Sequence, residues 1–178
     1  MKNQTAVFGG GCFWYIEAIF KMVKGVTSVK PGYAGGHTES PNYYQVCSGT
    51  TGHAEVVKVE YDADIISYEN LLEVFWQAHD PTTKNRQGND IGTQYRSIIL
   101  YQNLEQKRKA EESMSKANSS GLFKKPVVTE IKHLNEFYEA EDYHRDYFAN
   151  NPNQPYCRAI ISPKVTHFLE KNQDKVLK

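Results

Sequence analysis

The 178-residue chain is short of cysteine, of net charge and of long apolar runs. It has three cysteines, Cys12, Cys47 and Cys157. So sparse and odd a set excludes the even, dense framework of a small disulfide-stapled secreted domain. No C-x-x-C pair occurs, and sets such as Cys47 with His53 or His133 with His144 lack metal-ligand spacing, so no metal is expected. Lys and Arg balance Asp and Glu at 21 each. That balance removes the electrostatic footprint of a nucleic-acid binder and of a polybasic membrane surface. No apolar run reaches the roughly 18 residues a membrane-spanning helix needs. Residues 1–5 lack the basic-then-apolar start of a secretory signal, so a reducing cytoplasm is the expected location. Leu, Ile, Val and Phe make up only about 22% of the chain, just above the range in which a core fails. The chain is rich in tyrosine, with 12. Its core must therefore lean on aromatic rings, some of whose hydroxyls need partners.

The patterning predicts one domain over 1–178 with strands alternating with helices, an α/β or α+β fold around one mixed sheet. A short apolar strand over 5–8 ends at Gly9-Gly10-Gly11, and apolar residues at helical spacing follow over 12–23, stopped by Gly25. Residues 26–34 read as extended and 36–52 as a polar loop. In 53–61, His53, Glu55, Val57, Val59 and Tyr61 share one strand face. Ser67 caps a helix running to about His79. A turn-rich connection spans 80–92, a length often associated with function. A strand over 95–101 follows. Asn103, with Gln106 in capping-box position, then opens a helix ending at Gly121. Residues 127–133 form another strand, 136–150 are helical or irregular, 151–155 are a loop, and an amphipathic helix runs from Lys164 to the C-terminus.

Cys12 follows three glycines at a helix start, where orphan N–H groups and the positive end of the helix face its sulfur. A free thiol with a pKa near 8.5 is only about 3% thiolate at pH 7. The helix terminus is expected to lower that pKa, making Cys12 a nucleophile, and the glycines are expected to let another molecule approach. The plain alternative is a small residue in a strand-to-helix turn. Glu55 lies on the more apolar face of its strand, where desolvation raises a carboxyl toward the range of a general acid. Its alternative is a solvated Glu at the sheet rim. Phe13 and Trp14 follow Cys12, and only one of them can point fully into the core. The other is free to wall a pocket. Tyr43, Tyr44 and Tyr95 are phenols in or beside polar loops, and Asp90 lies in the long connection. Cys157 follows 151–156, a stretch able to act as a mobile arm that brings a second thiol to the first.

Gly9-Gly10-Gly11-Cys12-Phe13-Trp14, taken with Thr51-Gly52-His53-Ala54-Glu55, resembles the signature of the A-type peptide methionine sulfoxide reductases. The resemblance continues through Gly32-Tyr33-Ala34-Gly35-Gly36, His79-Asp80-Pro81-Thr82, Gly92-Thr93-Gln94-Tyr95-Arg96-Ser97 and Glu141-Asp142-Tyr143-His144, and covers nearly the whole chain. It implies an α/β two-layer fold and reduction of the S epimer of methionine sulfoxide, free or in proteins. It implies Cys12 as nucleophile, Glu55 as acid, Tyr43 and Tyr95 as donors to the sulfoxide oxygen, and Asp90 as a supporting carboxylate. Phe13 and Trp14 would line the methyl pocket. A sulfenic acid on Cys12 would be resolved to a disulfide and recycled by thioredoxin, with no cofactor, in a protein expected to be a monomer. Many members carry the recycling cysteine after a Gly-Tyr pair, whereas Pro155-Tyr156-Cys157 lacks that glycine. Cys157 is the first candidate for the resolving thiol and Cys47 the second. An external thiol is the third route. Two other classes compete. A cysteine hydrolase or peroxidase would need a base for Cys12 instead of an acid, and a non-catalytic tyrosine-rich binding module would be indifferent to Cys12.

Overall fold

Alternation decides the centre of the fold. In a computed structural model, which describes residues 1–176, the central strand β3 (Ala54–Asp62) buries both of its faces. Glu55, Val57, Val59 and Tyr61 face the main core, while Ala54 and Val56 face a smaller cluster with Val7, Ile98 and Leu100. β3 pairs antiparallel with β1 (Asn3–Gly9) on one side and β2 (Val26–Ala34) on the other.

The connection 80–92, expected as plain turns, contains a two-residue hairpin, β4 (Arg86–Gln87) with β5 (Asp90–Ile91). Beyond β1 lie β6 (Ile98–Tyr101) and, parallel to it, β7 (Glu130–His133). β8 (Phe137–Glu139) closes the far edge against β2. The mixed six-stranded sheet therefore has the order β7-β6-β1-β3-β2-β8, the α/β fold with one mixed sheet that the alternation implied.

Against its main face pack α1 (Phe13–Lys21) and α3 (Tyr68–Ala78). The core is aromatic, as the shortage of aliphatics required. Phe8 stacks on Phe20 at 5.3 Å and on Phe75 at 5.1 Å. Two buried tyrosines find partners, Tyr33 donating to Glu141 at 2.9 Å and Tyr61 to Gln4 at 3.0 Å, whereas the buried Tyr68 hydroxyl has none among the described residues. Ser67 caps α3 through the Asn70 N–H. Asn103 caps α4 (Leu104–Ser119) through the Gln106 N–H, but the Gln106 side chain accepts from Gln102 N instead of closing a reciprocal box.

Several expectations are corrected. The polar loop 36–52 contains a short helix, α2 (Tyr43–Cys47), whose capping box is formed by Asn42 and Gln45. Five residues are too few for apolar periodicity to register. Residues 136–150 hold β8, a 3-10 turn (Asp142–His144) and the single-turn α5 (Tyr147–Asn150). Tyr95 belongs to a 3-10 turn (Thr93–Tyr95), not to β6. The last helix starts earlier than Lys164, as a π-helical turn (Cys157–Ile161) running into α6 (Ser162–Lys171), and α6 stops at Lys171. The final two residues of the helix expected at the C-terminus lie outside the described residues.

Candidate active site

The strand-to-helix turn after β1 is built by packing. A Cβ on Gly10 would stand 2.9 Å from the His79 ring, and one on Gly11, at φ +97°, 2.7 Å from the Gln87 side chain. The glycines thus make room for the 79–90 segment, not for an approaching ligand as expected. Gln87 clamps that segment: its side chain accepts from Asp80 N at 2.8 Å and donates to Asp80 O at 2.7 Å. The hairpin so fixed delivers Asp90.

Cys12 is the N-cap of α1 and is half-buried. Its carbonyl accepts from the N–H groups of Tyr15 and Ile16. Glu55, 2% exposed, reaches across from β3 to the same helix start, where one carboxylate oxygen accepts the Phe13 N–H at 3.2 Å. Its other oxygen has no partner among the described residues. Burial pushes Glu55 up to about 8, with the Phe13 N–H opposing and Asp90 adding to the rise. Glu55 is a buried acid on the core face of β3, not a rim carboxylate.

The thiol runs against expectation. Burial, then the charge of Glu55, raise the Cys12 pKa well above its ordinary value, and the Trp14 and Tyr15 N–H groups at the helix start only partly offset this. The helix terminus acts in the anticipated direction but is outweighed, because desolvation of a thiolate is the larger effect in a closed site. An ionised Glu55 thus disfavours the Cys12 thiolate.

Two phenols surround the pair. Tyr43 opens α2, and Glu141 holds it there by accepting the Tyr43 N–H at 3.0 Å while also accepting from Tyr33. Burial works against ionisation of Glu141, yet these hydrogen bonds keep its carboxyl below the ordinary value. Tyr95 stands on its 3-10 turn beside β3. Burial and then the charge of Glu55 raise both Tyr43 and Tyr95, so both are protonated donors at neutral pH. Tyr44, by contrast, is exposed.

Of the aromatic pair, Phe13 is buried and Trp14 only partly so, as helical geometry required. Trp14 stacks on Tyr147 at 3.7 Å and donates to His144 Nδ1 at 2.9 Å.

Three residues here were missed from sequence. His144 is fully buried amid Phe13, Trp14 and Tyr43, and its Nε2 is unpartnered. Glu141 fixes α2. Tyr156 donates to Asp90 at 2.5 Å. Each comes from the C-terminal quarter, and no local pattern ties it to Cys12. Cys47 is exposed on α2 and its thiol interacts with the Tyr43 hydroxyl. Cys157 is 0% exposed and lies in the π-helical turn. The expected mobile arm is a tight turn over 151–154 that enters a helix at Pro155, and its thiol lies in the core. All three cysteines are free.

The family model for peptide methionine sulfoxide reductase matches residues 4–177. The chain belongs to the peptide methionine sulfoxide reductases. The reductase MsrA of Saccharolobus solfataricus is 57% identical over 173 residues, 97% of each chain. Among solved structures, Mxr1 from Saccharomyces cerevisiae in reduced form superposes with a TM-score of 0.80 at 32% identity, covering 88% of this chain and 90% of Mxr1. Mxr1 in complex with Trx2 also matches in fold, at a TM-score of 0.57 and 20% identity, over 82% of this chain and 85% of Mxr1. This member of the family is an oxidoreductase that reduces methionine sulfoxide. Among its described residues no helix is long and apolar enough to cross a membrane.

Proposed function

We propose that this reductase acts on the S epimer of methionine sulfoxide, free or in oxidised proteins, with Cys12 as nucleophile and Glu55 as acid. The observation that carries the assignment is the Glu55 carboxyl. It is buried, raised to about 8, anchored through one oxygen at the start of the nucleophile's helix, and open at the other. A sulfoxide sulfur resists attack because oxide is a poor leaving group. Glu55 gives its proton to that oxygen, Tyr43 and Tyr95 donate hydrogen bonds to it, and the Cys12 thiolate attacks sulfur. The sulfur–oxygen bond breaks as methionine leaves, with the hydroxyl transferred to Cys12 as a sulfenic acid and Glu55 left as carboxylate. Methionine sulfoxide is reduced by two electrons and the cysteine is oxidised by two. At neutral pH both groups rest protonated, so Glu55 supplies the one proton the sulfoxide oxygen takes up and the Cys12 proton leaves to solvent as the thiolate forms. The half-buried face of Trp14, backed by Phe13, receives the substrate methyl, and Asp90 supports the phenols.

A second thiol attacks the sulfenic sulfur and releases water, giving a disulfide. Cys157 is the assigned resolving thiol. The exposed Cys47, beside Tyr43, favours itself as the second reading. Thioredoxin, near −270 mV, is the fitting electron donor, in line with the complex known for Mxr1. A monomer in a reducing cytoplasm suits three free thiols. The test is single-turnover reduction of each sulfoxide epimer by reduced protein, followed by mapping of the disulfide formed without external reductant. Turnover surviving Cys12→Ser, or equal use of both epimers, overturns the assignment.

A further inference from the structure

Two successive residues, Tyr156 and Cys157, face in different directions. The Tyr156 hydroxyl donates to Asp90 at 2.5 Å and faces the Cys12 thiol, and its ring meets the edge of Trp14 at 6.1 Å between centroids. It therefore occupies space beside the nucleophile that a sulfoxide sulfur must enter, since reacting atoms need to approach to roughly 3–3.5 Å. Cys157, next on the helix, points into the core and is 0% exposed. A tyrosine side chain thus stands between this backbone and the Cys12 sulfur. A disulfide needs Cα atoms only about 4.4–6.8 Å apart. In this conformation the same helix cannot hold Tyr156 on Asp90 and present Cys157 to Cys12.

The turn that buries Cys157 is irregular. Residues Cys157–Ile161 are π-helical, a rare geometry that recurs at functional sites. It lies between Pro155 and Pro163, neither of which has an N–H to contribute. Its start is capped by Gln154, whose side chain accepts from Cys157 N at 3.0 Å and whose carbonyl accepts from Arg158 N at 2.9 Å.

We infer that Tyr156 is a latch: in the reduced enzyme its phenol closes the site over Cys12 through Asp90, and its displacement by sulfoxide loosens the π-helical turn and exposes Cys157. The latch is a positioning device; it couples substrate entry to the release of a thiol. What the release accomplishes rests on the proposed resolving role of Cys157.

The test uses full-length Cys12→Ser/Cys47→Ser protein, in which Cys157 is the only thiol, and a thiol-reactive chromogenic disulfide as probe. Saturating methionine sulfoxide, which this protein cannot reduce, is expected to accelerate labelling at least about tenfold. Adding Tyr156→Phe, which removes only the hydroxyl, is expected to give about tenfold faster labelling without substrate, the scale of one lost hydrogen bond to a charged group. Asp90→Asn weakens the same bond from its other end and should do likewise. Labelling indifferent to sulfoxide overturns the latch. So does acceleration by Tyr156→Phe that merely tracks a lowered unfolding midpoint. Disulfide mapping in the parent enzyme separates the two readings. Sulfoxide-gated labelling with a Cys12–Cys47 bond keeps the latch and removes the role of Cys157. A Cys12–Cys157 bond with ungated labelling does the reverse.

Discussion

Two buried glutamates lie along α1, Glu55 reaching its start from β3 and Glu17 in its middle turn, and the two are built alike. At the start, Glu55 accepts one backbone N–H, that of Phe13, and leaves its second oxygen without a partner. At mid-helix, Glu17, 1% exposed, accepts one backbone N–H, that of Asp146 at 2.9 Å, and its second oxygen makes no hydrogen bond among the described residues. Burial raises both, Glu55 to about 8 and Glu17 to about 7. The neighbours differ. Glu17 sits beside Lys21, which pairs with Asp146, so the cluster pins the C-terminal segment onto the helix. Among the described residues Glu55 has no cation to pair with, and it shares its site with a thiol and the phenols of Tyr43 and Tyr95. A raised carboxyl by itself does not mark a catalytic group. What sets Glu55 apart is the Cys12 thiol next to it, the proposed nucleophile.

The sharpest way to break this comparison is at the nucleophile. Cys12→Ser is expected to abolish sulfoxide reduction, a loss of at least about 10⁴-fold, while the thermal midpoint stays within a few degrees. Glu55→Gln keeps the acceptor for Phe13 N–H but cannot protonate the sulfoxide, and should slow the single-turnover step by about 10²–10⁴-fold. If that variant retains the parental rate, the contrast between the two glutamates fails. Tyr43→Phe and Tyr95→Phe, read in the same assay, should each cost about 10–100-fold. Both leave the Tyr43 backbone bond to Glu141 intact.

The smallest effect on turnover belongs to Glu17. Glu17→Gln should leave the rate within about twofold. Glu17→Ala strands the Asp146 N–H and should lose about 1–3 kcal/mol in urea denaturation. Stability against pH gives a shared signature. Both carboxyls are raised on folding, so the stability they contribute is complete below their unfolded value near 4.5 and is lost as pH rises through about 7 and 8. Either Gln variant should flatten that loss, and at pH 9 each should be more stable than the parent. Only Glu55→Gln should also remove the fall in reductase rate above pH 8.

Much of the site was legible because it is local. A glycine run before Cys12 and helical spacing after it place the thiol at a helix start. Period-two alternation over 53–61 puts Glu55 with Val57, Val59 and Tyr61 on the more apolar face. The features that were misread depend on distant partners. α2 is too short to leave a periodic trace, and Glu141 holds it from nearly 100 residues away. The stretch 151–156 looked like an arm because proline and asparagine describe a chain's stiffness and polarity, not what it packs against.

The sequence by itself determined the alternation of the main strands and helices, the face on which Glu55 lies and the position of Cys12 at a helix N-terminus. These depend on backbone periods and on residues within a few positions. Only the tertiary structure decided that Glu55 meets Phe13 across 42 positions of chain, that Tyr156 stands over Cys12 while Cys157 is turned away, and that the Cys12 thiol is raised instead of lowered. Such shifts follow from the summed desolvation and charge around a group, and packing sets both.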